Sequence, residues 1–398
     1  MSLLFGESFN MNKIKVCFVG LYEEFNMGDP VIAHCTEWLF TKDIPNMEIV
    51  RLTLDKPDKT LKHSFYFKVK SKIRKVLGKD YTKEQLALKV YNKALNYYRE
   101  KIKNCDWVIL VGGGLIKYKY QMLGVETAAL CEACDREGKK VIINAVGIES
   151  YDADNLVCQM ICKALHNKSV KYISTRDDLM LLKNYYLKGN THVVCEKVAD
   201  PAVWANEVYG ISKDSTSKII GVGIGRSGLF RSNGIDISGD IIQNVYERIV
   251  EELINRGYVV QLFTNGLLAD NRMAERVKES LKMKGIQLPL LIPHNDRELV
   301  EILSLNKAVI ATRLHSCIIS YSLEIPAVGL VWNDKLSFFG DNIGRPNSFI
   351  KPIDFDESFI VNQMELALKQ GYNPKIRNEY RATIISSVKN LQKVIIES

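Results

Sequence analysis

Short apolar runs rich in Val and Ile alternate with stretches of helical periodicity along nearly the whole chain. In the first half the runs fall at residues 13–20, 47–54, 107–114, 140–147, 170–175 and 192–195. In the second half they fall at 218–225, 258–264, 287–292, 308–312 and 327–332. They are flanked by Gly, Asn or Asp, and the continuous apolar stretches among them are what strands covered on both faces look like. Helical patterns such as 240–256 and 296–305 lie between them. Alternating strands and helices predict parallel sheets in doubly wound α/β layers. The polar stretch Ser-Lys-Asp-Ser-Thr-Ser at 212–217 separates the two series. The pattern therefore predicts two Rossmann-like domains, 11–211 and 218–373, with a cleft between them. An amphipathic helix follows at 374–398. In such folds ligands bind beyond the carboxyl ends of the strands, so the chemistry is sought there.

Length and composition bound the class. The 398 residues are 46% hydrophobic and 25% charged, an ordinary soluble balance. No apolar run approaches the ~18 residues of a membrane span. Residues 1–10 lack the basic start and apolar core of a signal peptide and read as an extension before a natural start at Met11. Nine cysteines without an export signal imply reduced thiols in a cytoplasm. Cys131, Cys134, Cys158 and Cys162 raise a zinc reading. They sit in helical patterns without the turns a zinc knuckle uses, so buried helix thiols are expected and no metal.

Charge is uneven. Between Lys56 and Lys103 fifteen Lys or Arg face four Asp or Glu, a surplus larger than the net +8 of the whole chain. This basic segment, 56–103, reads as a helical insertion, about 58–103, in the first domain. Its alternatives are a solvated face or a surface for a polyanion, an acidic glycan or an anionic membrane. Each Lys or Arg near an anionic surface contributes about 1 kcal/mol. No nucleic-acid motif accompanies the charge, so no nucleic-acid partner is expected.

The strand ends carry the candidate chemistry. After the first strand comes Asn26-Met-Gly28-Asp29-Pro30, a helix start that presents free N–H groups. After the third comes Gly112-Gly113-Gly114-Leu115, where a ligand can touch backbone, without the spacing of a dinucleotide fingerprint or a P-loop. Ser174-Thr175-Arg176-Asp177 follows the fifth, and an arginine there suits phosphate or carboxylate. Asp200-Pro201 ends the first series. The second domain adds Arg226 behind Gly223 and Gly225, and then Thr264-Asn265-Gly266 with Asp270, groups suited to hydroxyls. The sharpest signal is Thr312-Arg313-Leu314-His315, a cation two residues from an imidazole at a strand–helix junction. Trp332-Asn-Asp334-Lys335 lies on the same rim.

Taken in order, Asn26-Met-Gly28-Asp29, Gly112-Gly113-Gly114-Leu115, Ser174-Thr175-Arg176-Asp177, Asp200-Pro201, Arg313-Leu314-His315 and Asp334-Lys335 resemble the polysaccharide pyruvyl transferase family over about residues 14–340. Pro30 and Lys117 stand where members often carry acidic or polar residues. The resemblance implies a GT-B-like fold and transfer of pyruvate from phosphoenolpyruvate, a co-substrate rather than a cofactor, to a sugar as a ketal. It implies a glycan acceptor; the basic segment 56–103 points to a lipid-linked acceptor met at the anionic inner face of a membrane. His315, Arg313 and Asp29 are then the expected catalytic groups. Arg176, Arg313, Gly113, Gly114, Arg226 and Lys335 are the expected donor-binding groups, and Asn26, Asn265 and Asp334 the acceptor-binding ones. A nucleotide-sugar glycosyltransferase of the same fold and a non-catalytic glycan-binding protein are the alternatives.

Overall fold

The computed structural model describes residues 14–23, 26–44, 47–54, 82–119 and 122–397. Two six-stranded parallel sheets organise it. The first joins β1 (Ile14–Gly20), β2 (Met47–Thr53), β3 (Trp107–Ile116), β4 (Lys140–Ile148), β5 (Val170–Thr175) and β6 (Val194–Lys197). The second joins β7 (Ile219–Gly223), β8 (Val259–Phe263), β9 (Leu290–Leu291), β10 (Ala308–Ala311), β11 (Ala327–Leu330) and β12 (Phe349–Ile350). The spatial orders are β2-β1-β3-β4-β5-β6 and β12-β11-β10-β7-β8-β9. Chain order reverses between β1 and β3 in one sheet and between β7 and β10 in the other. Those two gaps are where doubly wound sheets open a crevice. The fold is the two-domain α/β, GT-B-like one.

The central strands are sequestered from water on both faces. In β1, Val16 and Phe18 enter one apolar cluster, while Cys17 and Val19 enter another on the opposite face. The first cluster does not stop at the domain. It runs from Phe18 and Ile32 to Phe263, Val309 and Tyr321, so the two sheets share an apolar flank. Helix Pro374–Ile396 follows the second domain in sequence but packs on the first. Gln392 donates to the Phe40 carbonyl at 2.8 Å, Tyr172 Oη meets Ser387 Oγ at 2.9 Å, and the Arg381 guanidinium stacks 3.8 Å over the Trp204 ring.

Departures from the sequence pattern gather at sheet edges. The run at 192–195 becomes β6, shifted onto the polar Glu196 and Lys197, because an edge strand needs only one apolar face. The run at 287–292 pairs only over Leu290–Leu291, and the two-residue β12 has no sequence signal. Of the basic segment, helix Lys83–Ile102 is described; Thr82 and Gln85 close a capping box at its start. Residues 56–81 of it lie outside the described residues, so the expected membrane-facing surface mostly does too. Cys131, Cys134 and Cys158 are buried free thiols, and Cys162 is partly buried. Among the described residues, no helix is long and apolar enough to cross a membrane.

Candidate functional site

The site is assembled where the two crevices face each other. Helix Gly28–Thr41 begins just beyond β1, and helix Leu314–Ser322 just beyond β10, with Arg313 as its N-cap residue. The two starts touch. A Cβ built on Gly28 would stand 2.5 Å from both Cβ and Nδ1 of His315, so only glycine lets the imidazole lie there. Asn265, buried at the end of β8, fastens the contact. Its carbonyl accepts from Met27 N at 2.9 Å, and its Oδ1 accepts from Ser316 Oγ at 2.6 Å. The Asn265 Nδ2 is buried without a protein partner.

His315 is 7% exposed and ringed by cations from both domains. Nη1 of Arg176 donates to His315 Nε2 at 3.3 Å while pairing with Asp200, whose Oδ2 lies 3.8 Å from the same nitrogen. A guanidinium only donates, so Nε2 presents its lone pair and the ring is the neutral Nδ1–H form. Burial, and then Arg176, Arg313 and Lys335, hold its pKa well below the usual histidine value. Arg313 is aimed by Asp270. Nε donates to Oδ2 at 2.7 Å and Nη2 to Oδ1 at 2.8 Å, and Oδ1 also accepts from Arg226 N at 3.1 Å. Asp270 is fully buried. This fork leaves the Nη1 of Arg313 with no protein partner among the described residues. On Arg176, Nε is buried and unpartnered.

Lys335 crosses from the second domain to the glycine run of the first. Its Nζ stands 3.5 Å from Glu149 Oε1 and 4.0 Å from Asp177 Oδ2. A Cβ on Gly114 would lie 3.2 Å from that Nζ and 3.6 Å from Lys117 Nζ, so the bare backbone there makes room for two ammonium groups. Burial lowers the Lys117 pKa, with Lys335 adding to the effect and Glu149 and Asp29 opposing it. Asp29 accepts from Asn26 Nδ2 at 3.0 Å. Burial raises its pKa against the pull of Lys117 and Arg176.

The structure thus brings His315, Arg313, Arg176, Asp29, Asn26, Gly114 and Lys335 together. Gly113 has a φ of +122°, which favours glycine, and a Cβ built on it would face Leu115 and Leu21. Arg226 stands on the second-domain rim beside Asp270, with its Nε buried and unpartnered. Asn265 is an interdomain fastener. Asp334 is exposed in the first turn of helix Asp334–Asn342. One correction concerns Asp270 and Thr264, which the sequence grouped with hydroxyl-binding residues. Both oxygens of Asp270 serve Arg313 and Arg226, and Thr264 Oγ1 donates to Asn271 Oδ1 at 2.6 Å. Lys117 and Glu149 were not singled out as site residues; the only signal was their place just past the carboxyl ends of β3 and β4. Among the described residues, no three His, Cys, Asp or Glu side chains converge as a metal site would need.

A two-domain α/β protein with a cation-ringed imidazole at its domain junction is the class these features define. The chain belongs to the polysaccharide pyruvyl transferase family, whose model matches residues 26–334. It is 24% identical over 275 residues to the amylovoran biosynthesis protein AmsJ of Erwinia amylovora. That match covers 63% of this chain and 63% of the relative, so it spans under two thirds of the relative's length. Its fold is similar to solved UDP-GlcNAc 2-epimerases. That of Methanocaldococcus jannaschii gives a TM-score of 0.57 at 11% identity, covering 95% of this chain and 99% of that one. That of Neisseria meningitidis gives 0.54 at 12%, covering 96% and 99%. At such identities the likeness concerns the fold alone.

Proposed function

We propose that the protein transfers pyruvate from phosphoenolpyruvate to two hydroxyls of a glycan, forming a ketal during polysaccharide synthesis. The observation that carries this reading is the neutral, buried His315 set among Arg176, Arg313 and Lys335, in a chain of this family. The amylovoran role of a relative supports an exopolysaccharide setting.

The donor carries a phosphate and a carboxylate. It needs cations from more than one direction, and the uncommitted N–H groups of Arg176 and Arg313, with Lys335, offer them. When the donor anion draws on Arg176, the lone pair of His315 Nε2 is released from Nη1. It then takes the proton of the attacking hydroxyl. The methylene carbon of the donor gains a proton and becomes a methyl group, and the hydroxyl oxygen bonds to the central carbon. The C–O bond to phosphate breaks, and a second hydroxyl closes the ring. Two hydroxyl protons are given up: one ends on the methyl group, the other leaves with phosphate. Asp29, whose carboxylate burial makes more basic, orients an acceptor hydroxyl. The basic surplus of 56–103 favours an acceptor carried on an anionic membrane.

The test is incubation with phosphoenolpyruvate and lipid-linked glycans, followed by phosphate release and the mass gain of pyruvate less water. His315→Gln should lower turnover about 10²–10⁴-fold with donor binding retained. Near wild-type turnover in that variant, or thermal stabilisation by UDP-sugars and not by phosphoenolpyruvate, would remove the proposal.

A further inference from the structure

Three adjacent strand ends of the first sheet each bring a charged group to the cation ring and then, further along the chain, a tyrosine. After β3, Lys117 is followed by Tyr118. After β4, Glu149, which faces Lys335, is followed by Ser150 and Tyr151. After β5, Arg176 and Asp177 lead into a helical turn that widens to a π turn over Leu182–Tyr186. Such turns recur at functional sites, and this one sets two consecutive tyrosines against the neighbouring loop.

The tyrosines tie the three loops into one surface. Tyr118 Oη lies 3.4 Å from Ser150 Oγ. Tyr186 Oη donates to the Ser150 carbonyl at 3.0 Å. The Tyr151 ring centroid is 5.3 Å from those of both Tyr185 and Tyr186. Tyr186 is buried and anchors the group. Tyr185 is 53% exposed, and among the described aromatic residues only it and Phe359 are exposed. The core does not require a bare ring there.

We propose that Tyr118, Tyr151 and Tyr185 form an outer subsite for the acceptor, holding a pyranose ring next to the sugar being modified. This rests on the pyruvyl-transfer reading for the occupant of the inner site. A pyranose has a C–H face that packs on aromatic rings and a rim of hydroxyls. The rings supply the first contact; Tyr118 Oη, Ser150 Oγ and the Glu149 carboxylate supply partners for the second.

The probes are methyl β-galactoside, methyl β-glucoside, lactose and cellobiose, each read by saturation-transfer NMR on the full-length protein, with uridine for comparison. Phosphoenolpyruvate binding is followed in parallel by its phosphorus signal. At least one sugar should receive saturation through its ring C–H protons. Tyr185→Ala should weaken that binding about tenfold with the phosphorus response unchanged. Tyr185 is exposed, so the variant keeps the fold. Tyr118→Phe, which keeps the ring, should cost less than Tyr118→Ala. The proposal is overturned if no sugar is saturated in the wild type, if the variants match it, or if uridine alone depends on Tyr185. Loss of phosphoenolpyruvate binding beside intact, tyrosine-dependent sugar binding would refute the pyruvyl-transfer reading and leave the subsite standing.

Discussion

Replacing Asp270 by Asn tests how the site aims its second-domain cation. The side chain keeps its shape and loses its charge. In the wild type two carboxylate oxygens accept from Arg313 Nε, Arg313 Nη2 and Arg226 N at 2.7, 2.8 and 3.1 Å. An amide has one oxygen, so either amide orientation sets an NH₂ against a donor. Asp270 is fully buried and the Arg313 side chain 12% exposed, so no water makes good the loss. Breaking a buried pair from one side costs about 3–5 kcal/mol. For a domain of this size each kcal/mol moves the melting point about 2–4 °C, so a fall of about 10 °C is expected by calorimetry. The functional effect is separable. Measured well below that melting point, phosphoenolpyruvate affinity should fall about 10–100-fold, the worth of one charged hydrogen bond that is no longer aimed. An Asn variant that melts within about 2 °C of the wild type and binds phosphoenolpyruvate equally well would refute the assignment of Asp270 as the group that orients Arg313.

Three more outcomes follow from the same geometry. His315 has a depressed pKa, so the unfolded chain takes up a proton that the folded one refuses. Stability should therefore fall as pH drops below about 6.5, and denaturant titrations of His315→Gln should lack that part of the slope. Donor anions offset Arg176 and Arg313 and so raise the depressed His315 pKa; phosphoenolpyruvate should therefore bind with proton uptake, read by calorimetry in two buffers on the acid side of neutrality, and equal heats would contradict this. Gly28→Ala puts a methyl group 2.5 Å from His315 Cβ and Nδ1. The overpacking costs about 1–3 kcal/mol, and turnover should fall much further than the melting point, since the imidazole must move. Unchanged turnover would show that the contact is dispensable.

The central strands were legible because burial on both faces favours apolar runs such as the Val108–Val111 stretch of β3, and β5 falls on residues 170–175 as the pattern predicts. Edge strands were not, since β6 carries the polar Glu196, which accepts from the Tyr172 hydroxyl, and the exposed Lys197, and β12 is too short for any period. Arg176, Arg313 and His315 stood out because a strand's carboxyl end in a doubly wound sheet is a place the chain itself marks. The partners of those residues were harder. Asp270 lies 43 positions from Arg313, and nothing in the local pattern at Thr264–Asp270 separates a carboxylate that clamps a guanidinium from one that meets a hydroxyl. Lys117 and Glu149 become site residues only when Lys335 arrives from the other domain, a contact 186 positions long in the case of Glu149.

The final helix, Pro374–Ile396, leaves the second domain and lies down on the first, so the polypeptide passes between the two bodies twice: once after β6 and again at Gly371–Asn373. Two crossings, added to the shared apolar flank, strap together the halves that meet at the Gly28–His315 contact. Cutting the second strap would lengthen the free path between the halves and weaken the seating of the imidazole against its guanidinium neighbours.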